Sequence, residues 1–460
     1  MLFLLLISFS SSFSQDKIPS VMSLSEYLSF IKSYHPIVKQ ANLIINTSEA
    51  KLLKARGAFD PKIEVDFDKK KFKSKEYFYK LNASFKIPTW YGVEIKANFE
   101  ENDGLFLNSE EVTPLDGLYS AGISVSLARG LLMNPRMAAI KKAKLFLNQA
   151  KEDQQIVINK ILHSAALSYF NWLKSYNKKR VFEEFLDNAT IRFNGTRQAY
   201  YAGDKPAIDT LEAGITLKTR KLNLEKARIK LVKSSLELST FLWLNNNTPV
   251  ELQDNIVPDI KTMNTIDNTF NIALFNDVDF DINNHPKISF LNFKREGLDI
   301  DRRLKRNNLL PKLDVQYNLL TENRNQINSF NNSNIKAEVN FSVPLFLRKE
   351  RGDLRLVKIK LKHIEFENEA TKVVIKNKIN AILQELESFK IQDNYTTNIV
   401  ADYGILLSAE ERKFFLGESS LFLVNSRESK LIEVKLKAIE LENSFFKTKA
   451  SLFKTAVIQL

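Results

Sequence analysis

The sequence contains no cysteine. That excludes disulfides, cysteine-ligated zinc, thiol catalysis and a lipid-modified N-terminal cysteine. Glycine and proline are scarce, 13 and 12 among 460 residues, and they cluster. Long windows are left without a helix breaker, which favours long helices. The apolar N-terminal run MLFLLLISFSSSF is too short to span a bilayer. With small residues Ser12 and Ser14 before Gln15, it reads as a secretory signal peptide over residues 1–14, although no basic residue stands near Met1. No other apolar run is long enough for a membrane helix, so any crossing of a membrane would have to use strands.

Catalytic signatures are missing too. There is no nucleophile motif, no glycine-rich phosphate loop and no HExxH. The four histidines are far apart. His35 and His285 each precede a proline and fit helix caps, whereas His163 and His363 are lone residues on helical stretches, at surface or seam positions. The RGD at 351–353 fits a helix start better than a ligand motif, and Glu183-Glu184 fits a solvated helix face. No catalytic residue, metal site or cofactor is expected. The net charge is +13, yet the 67 Lys and Arg are interspersed with 54 Asp and Glu along helical segments. That is a charge-laced helix surface, and no nucleic-acid partner is expected.

What is present is a plan carried out twice. Ser23 and Glu26 form a capping box, and His35-Pro36 breaks and restarts the helix, which runs to about Arg56. The apolar period then drops to two over 62–68, 77–87, 93–100 and 119–127, predicting four strands with one apolar face each. From Met137 to Asn194 there is neither glycine nor proline. Tyr200 and Tyr201 precede Gly203, and a second helix follows. On it Ile208, Leu211, Ile215, Leu222, Ile229 and Leu236 make one coiled-coil seam; Leu217, Leu224, Leu231 and Leu238 make another on nearly the opposite side. Two seams call for neighbours on both flanks. A polar stretch, NNNTPVELQDNIVPDIKTMN, reads as a linker closing the first half.

His285-Pro286 lies 250 residues after His35-Pro36, and LLPKLDV lies 250 after FDPKIEV. Two more alternating runs follow, through Leu313–Leu319 and Ile335–Val343. A helix from about Asp353 to Phe415 comes next, then Gly417 and a last helix. The chain therefore divides into a first repeat, 15–260, and a second, 261–460. The NKI at 377–379 trails that at 159–161 by only 218, so the first repeat holds 250 − 218 = 32 extra residues in its strand region. That is about one β-hairpin. It is either a longer rim or extracellular hairpin, the reading preferred here, or a pair of additional barrel strands, giving six per chain and eighteen per trimer. The aromatics Tyr77, Tyr79, Phe85, Trp90 and Tyr91 fit either an interfacial belt or ordinary strand packing.

This order of helix, HP break, helix, PK strand entry, amphipathic strands, long helix, glycine turn and long helix resembles the outer-membrane efflux protein family, the TolC-like channel-tunnels. The resemblance implies a mainly α fold with β. Long α-helical hairpins would form a coiled-coil α-barrel, and amphipathic strands would contribute to a trimeric transmembrane β-barrel. It implies a homotrimer in the outer membrane of a Gram-negative bacterium, in contact with its lipid and extending into the periplasm. It also implies a passive exit duct for efflux or type I secretion, working with a periplasmic adaptor (membrane fusion) protein and an inner-membrane pump. The turns with Tyr200, Tyr201, Gly203 and Asp204, and with Phe414, Phe415, Gly417 and Glu418, would be the adaptor-contacting tips. The family's acidic constriction falls at Leu423 and Ser426 here, so the acidic ring is not carried over, while Asp209 is acidic at the matching place in the first repeat. Phe414 stands where a gating tyrosine is expected. The rival reading is a soluble periplasmic coiled-coil structural or adaptor protein with a β-rich head.

Overall fold

The structure is a computed structural model that describes residues 20–272, 280–323 and 330–459. The signal-peptide reading of residues 1–14 lies outside the described residues. The chain separates into two compact units, each drawing on both sequence repeats: 1–41, 155–281 and 375–460 in one, 42–154 and 282–374 in the other.

In chain order the elements are β1 (Ser20–Met22), α1 (Leu24–Tyr34), α2 (Pro36–Arg56), β2 (Lys62–Phe72), β3 (Lys75–Pro88), β4 (Val93–Asp103) and β5 (Leu118–Ser126). There follow α3 (Pro135–Tyr201), α4 (Ala207–Ser239), β6 (Ile256–Pro258), α5 (Thr262–Thr269), α6 (Pro286–Asn307), β7 (Lys312–Thr321), β8 (Ile335–Ser342), α7 (Arg348–Phe415) and α8 (Leu421–Ala456). The helix boundaries follow from local chemistry. Ser23 and Glu26 close a reciprocal capping box on α1. His35 and His285 act as the expected caps: each Nδ1 accepts the backbone N–H two residues on, at 3.1 Å, past a proline that donates none. RGD 351–353 lies in the first turns of α7, and Gly404 is accommodated within it.

The first unit is helical with a conventional core. Tyr27, Tyr169, Phe170, Trp172, Phe270, Phe446 and Phe453 are fully enclosed. The Tyr169 hydroxyl donates to the Met22 carbonyl at 2.8 Å. That tyrosine braces a parallel strand pair, β1 with β6. The stretch read as a polar linker therefore supplies β6 and the start of α5, a helix whose Ile266 is buried. Such a short strand carries too few residues for a period to show. His163, placed by the sequence at a surface or seam, is buried here, while His363 is exposed.

The second unit holds one antiparallel six-stranded sheet, in the order β2-β3-β4-β5-β7-β8. The preference for a rim hairpin outside the barrel strands is thereby corrected: β3 and β4 are laddered on both sides into the sheet. Alternation in sequence reports a strand's apolar face but not its neighbour, so this could not be read in advance. A two-residue turn at Lys73-Ser74, both with positive φ, joins β2 to β3. At Gly122 a Cβ would stand 2.0 Å from the Tyr317 carbonyl oxygen, so only glycine lets β5 lie this close to β7.

Candidate functional site

Three features carry the functional argument: the turns at the helix hairpin ends, the charges beside them, and the two faces of the sheet. The two turns are built alike. Gly203 has φ +84° and Gly417 φ +79°, with nothing near an added Cβ in either case, so backbone conformation alone demands glycine. Gly203 N–H donates to Tyr200 and Asp204 N–H to Ala199; Gly417 N–H donates to Phe414 and Glu418 N–H to Lys413. Both are Schellman caps. The next helix starts differently in the two cases. The Ser420 hydroxyl accepts from Leu423 N–H, whereas Pro206 heads α4 without a side-chain cap.

The turns meet within the chain, because Lys205 Nζ lies 4.6 Å from the centre of the Phe414 ring. Tyr201 and Phe415 project into solvent, 77% and 90% exposed, as do Asp204 and Glu418. Tyr200 packs on Tyr201 with ring centres 5.6 Å apart. Asp209 is half-buried on the first turn of α4; Leu423 and Ser426 are exposed on α8.

Behind the turns sits a charge cluster that the sequence reading missed. Glu428 on α8 is completely enclosed. Its carboxylate accepts hydrogen bonds from Arg220 of α4, the shorter at 2.9 Å, and forms an ion pair with Arg192 of α3 at 2.7 Å, and Arg192 also donates to Glu411 of α7 at 3.0 Å. Asn425 adds a bond to Glu212 at 3.1 Å. One buried acid thus ties three helices, and Arg192 links the fourth, α7, through Glu411. Removing one partner from such a group leaves an uncompensated buried charge. The partners lie more than 200 residues apart, so no spacing rule announces them. The pairs Glu183 and Glu184 are salt-bridged to Lys179 and Lys435, consistent with a solvated helix face.

The predicted α4 rows are not equivalent. Of one, Leu217, Leu224 and Leu231 are half-buried and Leu238 is buried, while the fully buried positions are a row that the spacing did not single out, Ala213, Arg220, Ala227 and Ser234, and α4 packs on α8. The other row, Ile208, Leu211, Ile215, Leu222, Ile229 and Leu236, is 40–65% exposed. A heptad row left in water is a coiled-coil face without its partner.

The sheet is inside out. Cross-strand rows put Ile63, Phe85, Ala97, Ala121, Leu319 and Ile335 side by side, and likewise Val93, Val125, Val315 and Val339. This apolar face is the open one: Ile63 is 77% exposed, Val339 65% and Ile123 47%. The opposite face carries Ser84, Ser120 and Asn318, all under 9% exposed. It is laced by Lys86–Glu64, Lys80–Glu111 at 2.6 Å and Lys96–Gln316 at 3.0 Å. The Oδ1 atoms of Asn82, Asn98 and Asn318 on that side have no protein partner. Of the aromatics, Tyr79 packs edge-on against Phe67, Tyr77 stacks on Phe106 and Trp90 on Phe59, while Tyr91 stays 65% exposed.

Among the described residues no group of histidines and carboxylates is arranged to hold a metal, and no helix is long and apolar enough to cross a membrane. His163 is drawn down to about 4 by burial and by Lys454 and Lys378.

No protein-family model matches the sequence, and no curated protein matches it. Solved structures do. The chain is similar to the Campylobacter jejuni CmeC outer membrane channel, with 12% identity and a TM-score of 0.65 over 99% of this chain and 93% of that one. It is similar to the outer membrane protein VceC from Vibrio cholerae, with 11% identity and a TM-score of 0.65 over 94% and 95%. The open state of the Neisseria gonorrhoeae MtrE outer membrane channel gives 11% and 0.66 over 98% and 94%. The fold is that of these outer-membrane channels, the TolC-like architecture that the duplicated plan resembles.

Proposed function

We propose that the protein is the outer-membrane channel-tunnel of a tripartite efflux or type I secretion system. It acts as a homotrimeric passive duct in a Gram-negative bacterium and exports cargo from periplasm or cytoplasm. The observation that carries this reading is the inverted sheet. Leaving Ile63, Val65, Phe67, Ile123, Val339 and Phe341 in water forfeits roughly 25 cal/mol for each Å² of apolar surface, whereas in lipid that face is where it belongs. On β3 the apolar face runs from Tyr77 to Ile87. Ten rises of about 3.4 Å, tilted by about 40°, give a band about 26 Å high, close to the roughly 25 Å of membrane barrels. The opposite face, with its ion pairs and unpartnered asparagine oxygens, suits a water-filled lumen.

A single open sheet cannot sit in lipid, because its edges leave backbone groups unpaired. Copies of the chain close it. The exposed α4 seam supplies a matching demand in the helical unit, so repeats 15–260 and 261–460 would each contribute a hairpin to a ring. The turns with Tyr200, Tyr201, Gly203, Asp204, Phe414, Phe415, Gly417 and Glu418 then contact the periplasmic adaptor, and through it the pump. Asp209, Leu423 and Ser426 line the periplasmic constriction. The Glu428 cluster holds the two hairpins together behind it. Transport needs no catalytic residue here; energy comes from the pump. A soluble coiled-coil adaptor would leave the apolar face without a solvent to match it.

Fractionation combined with planar-bilayer recording tests the reading. The expected result is a trimer in the outer-membrane fraction that conducts ions. A water-soluble monomer that does not conduct would overturn it. For the turns, Gly203→Val or Gly417→Val should weaken adaptor crosslinking while leaving the trimer intact; adaptor crosslinking at the wild-type level would remove them from that role.

A further inference from the structure

Two strands from each repeat would give four per chain, and twelve in a trimer. The structure instead joins six. From this we infer that β8 of one copy pairs antiparallel with β2 of the next, closing three six-stranded sheets into a barrel of eighteen strands. The inference rests on the trimeric channel reading above and specifies its pore.

Four observations converge on it. First, the extra hairpin, β3 with β4, is bonded on both flanks: β2 to β3 from Lys62↔Lys86 to Phe72↔Lys75, and β4 to β5 from Val93↔Val125 to Glu100↔Leu118. Second, both faces continue through it in register. The polar row Lys62, Lys86, Lys96, Gly122, Asn318 and Lys336 crosses all six strands, as does the apolar row from Ile63 to Ile335. A hairpin standing outside the lipid would have no physical reason to keep its apolar face aligned with its neighbours.

Third, its turn is anchored at the sheet end rather than projecting beyond it. The Asn134 side chain donates to the Trp90 carbonyl at 3.0 Å, Ser126 N–H donates to Gly92 at 3.1 Å, and Phe59 stacks on Trp90 with centres 5.5 Å apart. Asn134 also caps α3 by accepting from Met137 N–H at 2.8 Å, so one side chain fixes both the turn and the helix start. Fourth, the two open edges are compatible. Every residue of β2 and β8 is exposed, and five successive antiparallel pairings leave the two strands running in opposite directions. Joined between copies they make an antiparallel ladder, and no edge remains.

The consequence is width. With strands about 4.8 Å apart and tilted by about 40°, eighteen strands give a backbone diameter of about 36 Å, against about 24 Å for twelve. Barrels of sixteen to eighteen strands keep an aqueous channel. The membrane end would then not limit the size of the cargo, and any constriction falls to the helical part.

The cysteine-free chain makes the test clean. Val65→Cys is combined in turn with Ala337→Cys, Val339→Cys and Phe341→Cys, the full-length trimer is isolated from outer membranes and oxidised, and covalent products are sized under denaturing conditions. One of the three offsets should yield covalent dimers and trimers. In parallel, Ala97→Cys with Ala121→Cys should close within a chain, while Val65→Cys with Ala121→Cys should not. Outer-membrane trimers in which Val65→Cys bonds to Ala121→Cys would place β2 directly against β5 and overturn the inference alone, as would trimers with no β2–β8 product at any offset. Failure to form an outer-membrane trimer at all would instead sink the channel reading, and this inference with it.

Discussion

The helical unit and the sheet obey opposite burial rules, although one chain builds both. Around Phe170 and Phe453 apolar rings are sealed from solvent, and the polar side chains enclosed with them, Asn159 and Asn443, are hydrogen-bonded to backbone carbonyls. Across β2 to β8 the apolar side chains are open, and Ser84, Ser120 and Asn318 are the enclosed ones. The same amino acids are used in both. What differs is the solvent each surface is built for, so the contrast is itself information about location. The helical core is sealed within the chain, while the apolar face of the sheet and the Ile208–Leu236 row of α4 have no cover within it.

The contrast can be broken or sharpened by substitution. Phe170→Ala empties the most conventional part of the molecule, where Phe170 meets Phe446 at 5.2 Å between ring centres, and should cost about 3–5 kcal/mol in denaturant unfolding. Glu428→Ala leaves Arg192 and Arg220 facing each other without their acid and should cost roughly 3–4 kcal/mol. Proteolysis near residues 203 and 417 should accelerate with it, and Glu428→Gln should restore part of the loss. In the sheet the rule inverts. Ile123→Lys on the open face should cost roughly 2–4 kcal/mol per chain in lipid and lower the outer-membrane yield, whereas the adjacent Ser124→Lys on the polar face should change little. Equal effects of the two would remove the distinction between the faces.

A pH effect belongs to the helical unit. Burial first, then Lys454 and Lys378, draw His163 down to about 4, while an unfolded chain has it near the usual value of 6.5. Between those values the unfolded chain binds a proton that the folded one refuses. Stability is therefore fully present above about pH 6.5 and falls as the pH is lowered toward 4, by about 2 kcal/mol from this group. Thermal midpoints from pH 7.5 to 4.5 should show a slope that His163→Gln reduces. A smaller loss of stability is expected at Ser23→Ala, about 1 kcal/mol, from loss of the α1 capping box.

Much of this was legible in the residues. The capping box, the two HP caps, six alternating strands, the long helices and the two glycine turns are local features, and each was read within a residue or a few of where it stands. The strand pair β1–β6 was not, because three residues carry no period. The Glu428 cluster was not either, since its arginines are 208 and 236 positions away and ordinary ion pairs crowd the same helices. Asp209, Leu423 and Ser426 came from the family resemblance rather than from any local signal, and the structure places them on exposed or half-buried helix starts.

By itself the sequence determined the repeated plan and the faces, because both depend on spacing: glycine at a positive-φ turn, proline at a first helical position, apolar residues every second or every three to four places. Only the tertiary structure decided which strands are neighbours, that the extra hairpin enters the sheet, that the apolar face is the open one, and that a cluster around one enclosed glutamate links four helices. Those are matters of long-range pairing, and the energies that select among pairings arise between residues far apart in the chain, where no local pattern reports them.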